Sequence, residues 1–67
     1  MLTERQRECL LWVREGKSST DIAVILGLSP RTVDEHIAAA CERLNVRTRA
    51  QAVVEAAAQG LLPASTP

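Results

Sequence analysis

The sequence predicts an all-α domain, a four-helix bundle containing a helix-turn-helix. Three observations carry this reading. Apolar residues return at helical spacing, most clearly Val33, Ile37, Ala40 and Leu44, which fall on one face. Helix start and stop signals alternate along the whole chain. No alternating strand pattern of useful length occurs. With no Tyr or Phe and a single Trp in 67 residues, packing falls to Leu, Ile, Val and Ala, and a core this small yields only a few kcal/mol.

Thr3-Glu4-Arg5-Gln6 is a capping box. It opens a first helix over about 4–15, closed by Gly16 at the position just past the cap. Gln6, Cys9, Leu10, Val13 and, on the flank, Trp12 form its buried side, and Leu11 falls on the exposed far side. Ser18-Ser19-Thr20-Asp21 opens a second helix over about 19–26. Ser18 or Ser19 is its cap, and Asp21 sits near the positive end of the helix dipole. Ile22, Ala23, Ile25 and Leu26 are its apolar residues, and Gly27 ends it.

Ser29 caps the third helix, over about 30–44, and Pro30 takes the first helical position, where its missing N–H costs nothing. Asn45 is a left-handed C-cap, and Val46 turns back to the core. Thr48-Arg49-Ala50-Gln51, a further capping box, opens a fourth helix over about 49–59, stopped by Gly60. Ala50, Val53, Ala56 and Ala57 can face the core, while Val54, Ala58 and Leu61 make a second small apolar stripe. Residues 1–62 therefore read as one domain and 63–67 as a frayed polar tail.

The third helix carries the chemistry. Opposite its apolar face stand Arg31, Glu35, Ala38 and Glu42, and one flank carries Thr32, His36, Ala39 and Arg43. A helix apolar on one side and able to reach bases and phosphates on the other suits a DNA major groove. The turn Gly27-Leu28-Ser29 joins it to the second helix as in a helix-turn-helix. Lys17, Ser18, Ser19 and Thr20 add hydroxyls and helix N-terminal N–H groups, a ready phosphate site or simple capping. Arg31 and Thr32 are placed for phosphate or base contact, and Arg43 and Arg47 for backbone contact. Asp34 and Glu35 either accept from cytosine N4 or form a solvated face that the helix dipole favours. His36 either donates to a phosphate or bridges helices. Ser29, Ala38 and Ala39 complete the expected DNA-facing set.

Eight basic and eight acidic residues give zero formal charge, where DNA-binding domains are more often basic. Between Lys17 and Arg49 the balance is slightly positive: Lys17, Arg31, Arg43, Arg47 and Arg49 against Asp21, Asp34, Glu35 and Glu42. Weak, salt-sensitive binding by a monomer follows. The rival is a protein-interaction module that keeps the fold and uses its acidic third helix. An enzyme is not indicated: there is one His, no Gly-rich phosphate loop and no nucleophile with a base. Cys9 and Cys41 read as reduced core thiols, and no metal or cofactor set is expected. Neither a signal peptide nor a membrane span is visible, so a cytoplasmic protein is expected.

Leu2-Thr3, Arg5, Arg7-Glu8, Leu10, Gly16, Ile22-Ala23, Leu26, Leu28-Ser29, Thr32-Val33, His36, Leu44, Val46, Arg49, Ala52 and Gly60-Leu61 stand at fixed spacings. In these the chain resembles the LuxR-type helix-turn-helix domain of bacterial transcription regulators. Glu8-Cys9-Leu10-Leu11-Trp12 with Gly16-Lys17 further resembles the subgroup that follows an autoinducer-binding domain in quorum-sensing regulators. The resemblance implies sequence-specific binding of double-stranded DNA, with the third helix in the major groove. It implies a weak homodimer through Val54, Ala58 and Leu61 on a palindromic site. RNA polymerase is a further expected partner, and a sensory domain is either missing or absent. Arg49 resembles a family Arg that ties its loop by an ion pair. The departures are Asp34 where the family commonly has Lys, Ser19 for Asn, Arg14 for Ala, and Ala40 for a larger apolar residue. The first bears on which DNA sequence is read.

Overall fold

The structure, a computed structural model, describes residues 1–63. Four helices follow in order: α1 (Glu4–Arg14), α2 (Ser19–Leu26), α3 (Pro30–Leu44) and α4 (Arg49–Ala58). Glu15 and Gln59 leave the helical conformation as caps, so α1 and α4 each stop one residue before the expected end. The frayed tail expected at 63–67 lies, beyond Pro63, outside the described residues.

Every helix start has a side-chain cap. Reciprocal capping boxes form at Thr3 with Gln6, Ser18 with Asp21, and Thr48 with Gln51. Ser29 caps α3 by accepting from the Thr32 N–H at 3.1 Å. All four helix ends use a left-handed residue: Gly27 and Asn45 are themselves the caps of α2 and α3, and Gly16 and Gly60 follow the caps of α1 and α4. Gly27 has φ +71, and the Leu28 N–H then reaches back to the Ala23 carbonyl at 2.9 Å. Asn45 has φ +58, and the Val46 N–H bonds the Cys41 carbonyl at 3.0 Å. These closures make the connections short and fix the angles at which α2, α3 and α4 meet. Thr48→Ala removes one box, and it is expected to cost about 1 kcal/mol and lower the melting temperature by roughly 5 °C; thermal unfolding followed by circular dichroism checks this.

The core falls into two clusters that share α1 and α3. Cys9, Ile22, Ala23, Val33 and Ile37 form one, beneath α2. Leu10, Ala40, Leu44, Ala52, Ala56 and Leu62 form the other, beneath α4. The buried face of α3 is thus divided: its first half meets α2 and its second half meets α4. Half-buried Cys41 touches both clusters. Ala40, Ala52 and Ala56 are all fully buried, and small side chains at those three sites let α3 and α4 approach closely. This accounts for alanine at position 40, where a larger side chain would be overpacked.

Several expectations need correction. Ile25 is 43 % exposed and Val24 80 % exposed. The short α2 packs chiefly on α3, and only Ile22, Ala23 and Leu26 lie on the covered arc. Ala50 and Ala57 are exposed, while Ala52 is buried. At about 100° per residue both lie roughly 150° around the helix from Ala52. Leu11 is half-buried rather than exposed, packed against the α4 cluster, because α4 covers that flank of α1. Val46 packs there as expected, and Leu61 is half-buried against the same cluster.

Candidate nucleic-acid interface

The exposed side of α3 begins with Arg31, whose side chain is 91 % exposed. Asp34, Glu35 and Ala38 continue this side, with Thr32, His36 and Ala39 half-buried along the flank. The same helix that buries Val33 and Ile37 therefore presents a polar ridge to solvent. The N-terminus of α2 lies against this ridge. Its Ser19 hydroxyl donates to Asp34 Oδ1 at 2.5 Å. Lys17, Ser18 and Thr20, all exposed, sit beside that contact. Residues far apart in sequence, around Ser19 and Asp34, thus share one surface.

Asp34, Glu35 and Asp21 on this surface each face a partner. Asp34 Oδ1 also accepts from Arg49 Nη2 at 3.2 Å, which brings the start of α4 into the same cluster. The Arg49 ion pair implied by the family resemblance is present, and its partner is Asp34. Glu35 faces Arg31 at 3.6 Å, one helical turn away. Asp21 closes the α2 capping box. The Ser18 backbone N–H, and then the Ser18 hydroxyl, hold its carboxyl below the usual aspartate range. Asp34 is lowered first by the Ser19 hydroxyl and then by Arg49.

Both shifts link stability to pH in one direction. The unfolded chain takes up protons at these carboxyls at a higher pH than the folded chain does. Their contribution is therefore full above the ordinary aspartate range and lost as pH falls below about 4. Urea midpoints measured between pH 6 and the acid limit are expected to fall there, and to fall less steeply in Asp34→Asn.

The remaining expected contacts are more scattered. Ser29 is occupied by capping, and its hydroxyl also bonds Thr32 Oγ1 at 2.9 Å. Arg43 lies three helical turns beyond Arg31, about 18 Å along the axis. There its Nη1 donates to the Met1 carbonyl at 2.6 Å. Arg47 is exposed in the turn before α4, with its backbone N–H bonded to Gln51 Oε1 at 3.0 Å. On the outer side of α4, Val54 is 70 % exposed and Ala58 is exposed. Val54 borders a shallow groove of about 370 Å³ with Val46, Ala50, Gln51 and Glu55. Leu61, the third member of the expected stripe, is turned partly inward.

Cys9 is buried, which pushes its thiol up, and Cys41 is half-buried; both are free. A buried thiol of this kind is a packing group and not a nucleophile. Among the described residues no group of His, Cys, Asp and Glu comes together to hold a metal, and no helix is long and apolar enough to cross a membrane.

The sequence reading did not anticipate that Ser19, Asp34 and Arg49 meet. The residues are 15 and 30 positions apart, and no local pattern joins them. Two signals pointed to Arg49: the ion pair that the resemblance implied, and its place on the α4 arc shared with half-buried Val53 and buried Ala56.

Known proteins sharing these features are regulators. The family described as bacterial regulatory proteins, luxR family, matches residues 1–56. The transcriptional activator protein LuxR of Aliivibrio fischeri is 48 % identical over 61 residues, covering 91 % of this chain and 24 % of its own length. The transcriptional activator protein AnoR of Acinetobacter nosocomialis is 43 % identical over 61 residues, covering 91 % of this chain and 26 % of its own. The chain thus spans about a quarter of the length of these relatives. A solved structure of the transcription factor GerE superposes with a TM-score of 0.89 at 34 % identity and covers 96 % of both chains. With four helices, a capped turn between α2 and α3, and this agreement across nearly its whole length, the chain belongs to the luxR family of bacterial regulatory proteins.

Proposed function

We propose that this domain binds double-stranded DNA sequence-specifically, with α3 in the major groove and the N-terminus of α2 on the adjoining phosphates. The observation that carries the reading is the shared surface of α2 and α3. An exposed ridge led by Arg31 is joined through Asp34 to Ser19, whose neighbours Lys17, Ser18 and Thr20 are exposed, on a helix whose other face is locked in the core. Arg31, Thr32, Glu35, His36, Ala38 and Ala39 face the bases or their flanking phosphates. Lys17, Ser18, Thr20, Ser29, Arg43 and Arg47 surround them as backbone contacts or caps, with Ser19 and Asp34 bonded to each other on the same surface. The domain pairs weakly through Val54 and Ala58, with Leu61 at the edge, so that two copies meet half-sites about one turn apart. Relatives named as transcriptional activators support a role in gene activation, with RNA polymerase as a partner and a sensory region elsewhere in a longer protein.

The rival reading drew on an acidic third helix. Asp34 is engaged by Ser19 and Arg49, and Glu35 by Arg31, so this side is not an open acidic surface for a protein partner. Backbone amide shifts recorded while a duplex is added test the DNA reading. Changes are expected in residues 17–20 and 31–39, with the outer face of α2 around Val24 unmoved. Changes confined to Val24 and Ile25, or to α4, would contradict it.

A further inference from the structure

We propose that Asp34 is a positioning residue that holds the Ser19 hydroxyl and the Arg49 guanidinium on the protein, away from DNA phosphates, and thereby limits sequence-independent binding. The proposal rests on the DNA reading above. Three bonds close a triangle between three helices. Ser19 Oγ donates to Asp34 Oδ1 at 2.5 Å, Arg49 Nη2 donates to the same oxygen at 3.2 Å, and Arg49 Nη1 donates to Ser19 Oγ at 2.9 Å. Asp34 stands on the first turns of α3, Ser19 on the first turn of α2, and Arg49 on the first turn of α4.

The hydrogen-bond inventory gives this triangle a consequence. A serine hydroxyl has one proton, and a phosphate oxygen can only accept. Ser19 gives its proton to Asp34, so in this arrangement it has none for a phosphate. Arg49 keeps its charge, but that charge is balanced at contact distance by the Asp34 carboxylate. A corner of the interface that would otherwise offer a cation and a hydroxyl donor is neutral and self-satisfied. Lowered non-specific affinity leaves discrimination to Arg31, Thr32 and the rest of the α3 ridge. It also agrees with a domain of zero formal charge. Asp34 acting as a base reader would place its effect elsewhere, at one base pair.

The two roles separate experimentally. Wild type, Asp34→Asn, Arg49→Gln and the double variant are prepared, and the fold of each is verified by circular dichroism. Each is then titrated into a labelled duplex of arbitrary sequence over a range of salt, and wild type and Asp34→Asn are passed through selection from a randomised duplex pool. Asn at 34 keeps an acceptor for Ser19 but no charge to hold Arg49. Asp34→Asn is expected to tighten arbitrary-sequence binding roughly fivefold to tenfold at 0.1 M salt and to steepen the log–log salt slope by about one, the signature of one added phosphate contact. Arg49→Gln is expected to leave the slope near that of wild type, and to abolish the gain when combined with Asp34→Asn. The selected base preferences are expected to be the same for both proteins. Relaxed preference at a single base pair with an unchanged salt slope would overturn the proposal and make Asp34 a base reader. Equal slopes for all four proteins would also overturn it. In both cases wild-type binding remains, whereas a wild type that binds no duplex at low salt removes the DNA reading itself and the proposal with it.

Discussion

Lys17→Glu combined with Arg31→Glu is expected to abolish measurable DNA binding at moderate salt while leaving the fold intact. Both side chains are exposed and stand on the surface shared by α2 and α3. Each reversal removes a phosphate-attracting cation and adds a repelling anion. At about 1–3 kcal/mol per lost contact, the pair is worth on the order of a hundredfold or more in affinity. Glutamate at 31 also faces Glu35 one turn away in place of the present ion pair, a like-charge pair that costs only a few tenths of a kcal/mol of helix stability. Circular dichroism is therefore expected to stay unchanged while anisotropy of a labelled duplex no longer rises. Arg43→Glu would be a poorer probe, because it also breaks the bond from Arg43 to the Met1 carbonyl.

Leu10→Ala is expected to destabilise the domain by about 2–5 kcal/mol. Leu10 is fully buried, at the centre of the cluster where α1 meets α3 and α4. Its neighbours there include Ala40, Ala52 and Ala56. Alanine side chains have no rotamers with which to move into the vacated space, so little collapse is available and the upper part of the range is expected. For a domain of this size the change corresponds to a fall of roughly 10–30 °C in melting temperature. Because a core this small supplies little surplus, much of the chain would be unfolded at 37 °C. Urea unfolding of wild type and variant at one pH gives the difference directly.

What the sequence revealed and what it hid have separate physical origins. Helix starts are written in local chemistry: a hydroxyl or carboxylate followed three residues later by a matching group, as at Thr3 with Gln6 and Thr48 with Gln51. All four elements and the turn between α2 and α3 were legible for that reason. The buried stripe of α3 was legible as well, because a 15-residue helix shows its period several times. Shorter helices show it barely twice. Ala50 and Ala57 on the ten-residue α4 were accordingly placed on the wrong side of the boundary between buried and exposed. Alanine adds to the difficulty, since its small side chain marks neither face, and the buried Ala52 is chemically identical to the exposed Ala57. The candidate surface could be proposed from the sequence as a list of residues but not as a set of bonds. Ser19, Asp34 and Arg49 meet only because the tertiary fold brings the first residues of α2 and α4 within reach of Asp34 on α3.

The central claim, that α3 and the start of α2 form a DNA-binding surface, is tested most directly by fluorescence anisotropy. A labelled duplex is titrated with the domain at low and then at moderate salt. Saturable binding at low salt that weakens steeply as salt rises is the result this structure predicts, since phosphate contacts release bound counterions. A verified, folded domain that leaves the anisotropy flat at low salt would contradict it.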